Sequence, residues 1–186
     1  MNPTSNKSDF EDLTTNLKDL AYSYLEKYSP SKQQLKVYLL KKYLTKIKGT
    51  KSKKEVSMII DEIIMNLEKN KIINDELYSD SKARMFLRRG YSLNKINQSL
   101  RNKGIDNKYI KQSIDKIKEN EIEPDFVSAL KLCKRRRIGP LRPGANRELF
   151  YKKDMGILAR GGFNFELSKR VLSLDAVEFN KLLKIA

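Results

Sequence analysis

The fold is decided by the stretch VSMIIDEIIMNL, which covers residues 56–67. Its aliphatic residues recur at intervals of three and four, so they all lie on one face of a helix. These residues are Val56, Ile59, Ile60, Ile63, Ile64 and Leu67. The pattern predicts an amphipathic helix whose apolar face packs into a hydrophobic core.

Shorter stretches with the same spacing predict further helices along most of the chain. The apolar pairs that define them are Leu35 and Leu39, Ile96 and Leu100, and Leu167 and Val171. No alternation of apolar and polar residues reaches the length of a strand, so a sheet is not expected. We therefore expect an all-α protein.

An internal repeat emerges when the chain is aligned on three residues that are suited to cap helices, Ser31, Ser92 and Asn164. An apolar residue stands six positions before each cap, and a leucine stands eight positions after it. The six residues are Leu25, Phe86 and Leu158 before the caps, and Leu39, Leu100 and Leu172 after them. The third copy is imperfect, because Ser168 takes the position of Leu35 and Ile96. The repeat predicts units in which two helices flank a short turn.

The chain is strongly basic, with 39 Lys and Arg against 23 Asp and Glu, and its net charge is +16. Residues 27–54 contain ten Lys and no acidic residue, and residues 129–160 carry +8 from ten cations and two carboxylates. This balance is typical of proteins that bind nucleic acid, an acidic protein or an anionic membrane. No single helix joins a broad apolar face to a clustered basic face, so no membrane partner is expected. Composition alone favours DNA binding.

Composition also excludes several kinds of catalytic site. The chain has no His and one Cys, which removes histidine bases, most zinc sites and any internal disulfide. It has no GK[ST] phosphate loop, no HExxH pair and no GxSxG nucleophile elbow. We expect no enzymatic activity, no cofactor and no metal.

The remaining composition suggests an ordinary intracellular setting. Cys133 is expected to be an inert buried thiol in a reducing cytoplasm, and no apolar run has the length of a membrane span or a signal peptide. No long heptad seam is visible either, so we expect a monomer in the cytoplasm.

Several short motifs in a fixed order resemble those of the RecX family, bacterial regulators of the RecA recombinase. They are NDE at 74–76, LRRGYS at 87–92, KGID at 103–106, RRRIGPLRP at 135–143 and LARGGF at 158–163. The resemblance covers roughly residues 18–173. The chain departs from the family at Asn74, where Asp is more usual, and in a Lys-rich insertion at Gly49–Lys54.

The resemblance implies tandem three-helix modules that stack into an elongated, curved body. With the repeat, it predicts a flexible tail at 1–17, a first module at 18–78, a second at 79–120, and a third at 121–186 that holds the basic connection and a C-terminal helix. It also implies that the chain binds the RecA filament on DNA and inhibits the ATPase, recombinase and coprotease activities of RecA. Contacts with DNA are expected to be weak and non-specific, and to occur mainly within the filament.

Charge and position single out basic residues of the second and third modules as candidate contacts with RecA or DNA. They are Arg88, Arg89, Arg101, Lys103, Lys134, Arg135, Arg136, Arg137, Arg142, Arg147, Lys152, Lys153, Arg160 and Arg170. For the cluster at 134–137, a solvated surface without a partner is an interpretation of equal weight to a functional contact. Tyr91 and Phe163 precede helix caps, where a packing role is favoured over base stacking. The alternative function is a basic helix-turn-helix protein that binds DNA without RecA.

Overall fold

In the computed structural model, residues 3–47 and 52–185 are described, and every regular element in these ranges is helical. The α-helices are α1 (Pro3–Leu25), α2 (Lys32–Lys42), α3 (Lys53–Lys69), α4 (Asp75–Arg88), α5 (Leu93–Arg101), α6 (Asn107–Asn120), α7 (Pro124–Arg136), α8 (Gly144–Arg160), α9 (Phe165–Ser173) and α10 (Ala176–Ile185). A π-helical turn follows α2 at Tyr43–Ile47, and a 3-10 turn lies at Gly139–Leu141. Within the described ranges, no helix is long and apolar enough to span a bilayer. The all-α class is confirmed.

The three predicted N-caps are confirmed. Ser31 Oγ accepts the backbone N–H of Gln34 at 3.2 Å, and Ser92 Oγ accepts that of Lys95 at 3.1 Å. Asn164 Oδ1 accepts the N–H of Leu167 at 2.8 Å. These bonds satisfy amide donors that have no partner inside the first turn, which is why the helices begin at these residues.

The chain divides into two compact units. The first unit is Met1–Tyr78 with Lys103–Ile105, and the second unit is Ser79–Asn102 with Asp106–Ala186. The second unit holds most of the predicted second module together with the predicted third module. The three-module boundaries therefore stay a prediction, since compactness alone does not separate one repeat from the next.

The core of the first unit is built around the apolar face of α3. All six aliphatic residues of this face are buried, as their spacing predicts. The face packs with buried residues of α1 and α2, which complete the core. These include Leu17, Ala21, Leu35 and Leu39, none of which retains measurable exposure.

The prediction of a flexible tail at residues 1–17 is wrong for residues 3–17, which form the first part of α1. Leu13 and Leu17 are buried because they stand four residues apart and continue the stripe that ends at Ala21. Their short apolar stripe is diluted by polar neighbours, which hides it in the sequence. The predicted insertion at Gly49–Lys54 lies partly outside the described residues, since 48–51 are not described.

The second unit has its own core, to which α7, α8, α9 and α10 all contribute. Its buried residues are Phe126, Ala129, Leu130, Leu132, Cys133, Ile138, Leu158, Phe163, Val171, Leu172, Leu174 and Phe179. Ser168 is also buried, with 1% of its surface exposed. It therefore occupies the inward position that Leu35 and Ile96 occupy in the other copies, and the repeat keeps its register despite the polar residue.

A close backbone approach joins the start of α5 to the turn between α8 and α9. The N–H of Ser92 donates to the carbonyl oxygen of Gly161 at 3.1 Å. Gly162 follows with a φ of 89°, and a methyl group there would overlap Ser92 Oγ and the Cβ of Lys95. Only glycine fits this conformation and this space, so the Gly161-Gly162 pair brings α5 and α8 together.

Candidate functional site

Ten of the fourteen predicted contact residues lie in the last turn of a helix or within two residues after it. Arg88, Arg101, Arg136 and Arg160 are each the last residue of a helix. Cations in the last turn are favoured by the negative end of the helix dipole, which explains much of this placement. Eleven of the fourteen are exposed, and the half-buried ones are Lys103, Arg142 and Arg147.

Arg142 is committed to an internal ion pair. Its Nε and Nη2 donate to Oδ2 and Oδ1 of Asp154 at 2.7 and 2.8 Å, and the N–H of Gly139 donates to the same carboxylate at 2.9 Å. Burial raises the pKa of Asp154, but these three hydrogen bonds outweigh it and hold the pKa below its ordinary value. This pair fixes the connection between α7 and α8.

Arg147 and Arg170 also have internal partners. Arg147 Nη2 donates to the carbonyl oxygens of Leu172 and Leu174 at 2.9 and 2.6 Å, which satisfies acceptors at the end of α9. Arg170 makes a bidentate pair with Glu123 at 2.7 and 3.1 Å, and hydrogen bonding by Arg170 lowers the pKa of Glu123. These bonds give both arginines a role within the fold, so they are the weaker candidates for a partner.

Five cations of the second unit line two adjacent cavities of about 640 and 340 Å³. The larger cavity is lined by Arg101 and polar side chains of α5, and the smaller by Arg135 and Arg136 of α7. Lys95 and Arg160 line both cavities, so the two adjoin each other. We call these two adjoining cavities together the basic groove.

The basic groove is an uncompensated positive surface. None of the residues that line the two cavities is Asp or Glu. Within the described ranges, its four arginines form no ion pair, and Lys95 Nζ contacts only the neutral amide oxygen of Gln98 at 3.3 Å. Like charges gathered along one surface repel one another, and a bound anion would relieve that repulsion.

Local packing explains how the groove is positioned. Arg160 extends over Gly156 of the preceding turn, where a Cβ would lie 3.5 Å from its Nη1. The Gly161-Gly162 turn holds the end of α8 against the start of α5, so Arg160 and Lys95 meet although they are 65 positions apart in the sequence. The basic groove thus depends on tertiary packing rather than on one helix face.

Four of the predicted residues are brought together in the basic groove: Arg101, Arg135, Arg136 and Arg160. Sequence reasoning missed Lys95, which looked like one of many scattered lysines. No local sequence signal marks it, because its place beside the glycine pair depends on tertiary packing. Seven others are neither in the groove nor in the internal bonds just described: Arg88, Arg89, Lys103, Lys134, Arg137, Lys152 and Lys153.

The chemistry available in this groove is anion binding. Its polar side chains are cations, amides and the Tyr91 phenol, which offer hydrogen-bond donors, and Leu132 and Ile157 add apolar surface to the smaller cavity. Cys133 lies in the core of the second unit, where burial raises the pKa of its thiol to about 12. It therefore stays protonated and unreactive at neutral pH. Among the described residues, no group of three or more acidic or Cys side chains is placed to hold a metal.

Comparison with known proteins gives one curated relative and two solved structures. The chain is 32% identical over 161 residues to the regulatory protein RecX of Myxococcus xanthus (strain DK1622), a match that covers 85% of this chain and 84% of that protein. No protein-family model matches the chain. The curated relative is named as a regulatory protein rather than an enzyme.

The solved structures share the fold at low sequence identity. A crystal structure of RecX from Lactobacillus salivarius matches 95% of this chain and 99% of its own, with a TM-score of 0.59 and 17% identity. A second crystal structure of regulatory protein RecX matches 91% of this chain and 76% of its own, with a TM-score of 0.60 and 20% identity. At these identities the structural likeness concerns the fold.

Proposed function

The chain belongs to the RecX family of regulatory proteins, and we propose that it binds the RecA filament on DNA and lowers the ATPase, recombinase and coprotease activities of RecA. The observation that carries this proposal is the similarity to a RecX regulatory protein along most of the chain. The same ordered motifs that resemble the family lie at the turns that organise α4, α5, α8 and α9. The cell setting would be DNA repair and recombination, including the SOS response.

The charge of the chain supports a filament as the partner. A nucleoprotein filament carries DNA phosphates, and a protein with a net charge of +16 is drawn to such a polyanion. Several weak contacts on neighbouring subunits of a filament act together through a high effective concentration. A monomer bound in this way would bridge adjacent RecA subunits and oppose the movements that accompany nucleotide turnover. Inhibition then needs no covalent chemistry.

The alternative is a basic helix-turn-helix protein that acts on DNA without RecA. Phosphate attraction alone would give weak, sequence-independent binding that is lost steeply as salt rises. Binding to a RecA filament should survive more salt, because buried protein contacts are screened less than exposed charges. Tight, sequence-selective binding to bare duplex at physiological salt, with a footprint of defined half-sites, would favour the alternative.

A charge-reversal variant tests the role of the Arg cluster in this function. Replacing Arg135, Arg136 and Arg137 by Glu reverses six charge units at the end of α7, where all three side chains are exposed. The control replaces three exposed lysines elsewhere in the second unit, Lys111, Lys118 and Lys169, by Glu and makes the same change in net charge. Cosedimentation with RecA filaments and RecA ATPase are measured for both variants.

We expect the Arg variant to lose filament binding and inhibition sharply at low salt, while the Lys variant retains most of both. Arg137 is the C-cap of α7, and Arg135 and Arg136 lie in its last turn, so Glu at these positions opposes the helix dipole and costs about 0.3–1 kcal/mol each. Circular dichroism and urea unfolding therefore accompany the binding assay, and potency is compared between folded proteins. Full potency of a folded Arg variant would show that this cluster is only a solvated surface.

A further inference from the structure

We infer that the basic groove binds one strand of nucleic acid directly, and that this binding needs no RecA. The groove presents five cations and no carboxylate along two adjoining cavities of the second unit. Phosphates are the anions that nucleic acids offer at regular intervals, and Lys and Arg are their principal protein contacts. The inference therefore goes beyond the filament proposal, since it assigns an activity to the chain alone.

The spacing of the cations suits a run of phosphates rather than a single anion. Lys95 and Arg101 stand six residues apart on α5, which places them about 9 Å apart along the helix axis at 1.5 Å per residue. Arg135 and Arg136 extend the positive surface past Lys95 into the smaller cavity. A ligand that contacts all of them must be an extended polyanion.

The amide side chains favour a nucleic acid over an acidic peptide. Asn94, Asn97 and Gln98 line the larger cavity beside its cations, while Ala159 is its only apolar side chain. Peptides that dock in grooves are usually held by apolar anchors in pockets, and only the smaller cavity offers such side chains, Tyr91, Leu132 and Ile157. Amides donate and accept hydrogen bonds at once, so they suit base edges and sugar oxygens as well as phosphates.

Geometry favours a single strand over a duplex. A helix that reads duplex DNA enters a major groove about 12 Å wide, which a helix 10–12 Å across fills by itself. The polar side chains of α5 instead face a cavity whose other side is Arg160 at the end of α8 and Gly162 of the α8–α9 turn, and Ser92 is bonded to that turn. Because the turn is attached beside α5, this face of α5 cannot enter a major groove, whereas a strand can lie along it.

The experiment measures fluorescence anisotropy of a labelled 20-nucleotide oligothymidylate without RecA, over a series of salt concentrations. The test variant carries Lys95→Glu and Arg160→Glu, and the control carries Lys111→Glu and Lys169→Glu, which reverse the same charge on exposed residues outside the groove. We expect the test variant to bind at least tenfold more weakly than the parent and to lower the salt slope by about two. The control should bind within about threefold of the parent.

Two outcomes with these variants would overturn the inference: test-variant affinity equal to that of the control, or tighter binding of a 20-base-pair duplex than of the single strand. Displacement of the oligonucleotide by polyglutamate at equal charge would instead identify an acidic-peptide site.

Photocrosslinking of the parent protein to a strand containing 5-iododeoxyuridine keeps the inference testable if the variant fails to fold. Crosslinks should map to residues 91–101, 132–136 and 157–162, and crosslinks confined to other peptides would contradict the site. A RecA ATPase assay on the same proteins is read separately, so either proposal can fail alone.

Discussion

Asp125 binds the first turn of α5, because its Oδ1 accepts the backbone N–H of Leu93 at 2.7 Å. Asp75 does the same for α2, accepting the N–H of Lys32 at 2.9 Å. Each N–H directly follows an N-cap serine, and each aspartate lies in the first turn of a later helix. The internal repeat therefore includes this aspartate-to-amide bond between two helices. The alignment of the caps in the sequence does not reveal that bond.

Replacing Asp125 by Ala should lower the free energy of unfolding by about 1–2 kcal/mol. The change leaves the half-buried N–H of Leu93 without its charged acceptor, and a lost cap or charge-assisted bond costs about this much. Urea unfolding followed by circular dichroism measures the loss. Glu119→Ala removes the same charge from an exposed site on α6 and should change stability by less than about 0.5 kcal/mol. Equal effects of the two substitutions would contradict a specific role for Asp125.

Replacing Arg142 by Ala should be more damaging, at about 3 kcal/mol. Asp154 has 1% of its side chain exposed, so removal of Arg142 leaves a buried carboxylate without its cation. The matched control is Arg135→Ala, since Arg135 is exposed and makes no ion pair in the described structure. Thermal and urea unfolding measure the stability of both variants. An Arg142→Ala protein as stable as the parent would show that the ion pair contributes little to the free energy of unfolding.

The Asp154 pair also predicts a pH dependence of stability. Because the pKa of Asp154 is lowered on folding, its contribution is present above the ordinary carboxyl pKa and is lost as pH falls through the folded value. The stability difference between the parent and Asp154→Asn should therefore be largest near pH 7 and shrink below about pH 4. Glu148→Gln, at an exposed site on the same helix, is the control. If the stability difference between the parent and Asp154→Asn grew as the pH fell, that result would contradict a lowered pKa of Asp154 in the folded protein.

Replacing Ser168 by Ala should raise stability by about 1 kcal/mol. The hydroxyl of Ser168 is buried and has no hydrogen-bond partner among the described residues, so its removal eliminates an uncompensated desolvation cost. Ser173→Ala, at an exposed site on the same helix, should not increase stability, because that hydroxyl donates to the carbonyl oxygen of Arg170. A destabilised Ser168→Ala protein would mean that the hydroxyl makes a bond in solution.

The elements that sequence reasoning predicts well are those set by local chemistry. The face of α3 from Val56 to Leu67 and the caps Ser31, Ser92 and Asn164 are confirmed because periodicity and capping act within a few residues. Periodicity does not predict a helix at residues 3–17, since the short stripe of Leu13 and Leu17 gains its stability from α2 and α3 rather than from its own sequence.

The candidate site is harder to predict because it is assembled by distant residues. The Arg cluster at 134–137 is visible in the sequence, but only tertiary packing separates Arg135 and Arg136, which line the basic groove, from Arg142, which is bound to Asp154. Lys95 becomes notable only when the Gly161-Gly162 turn is seen against α5. Charge and motif identify the region, whereas packing decides which cations are free to bind a partner.

The most direct test of the proposed function is the ATPase activity of RecA on single-stranded DNA, titrated with this protein. If the chain stabilises or blocks a filament, one bound molecule affects many subunits, so ATP hydrolysis and strand exchange should fall at well below one molecule per RecA subunit. Unchanged ATP hydrolysis at equimolar protein would contradict the account.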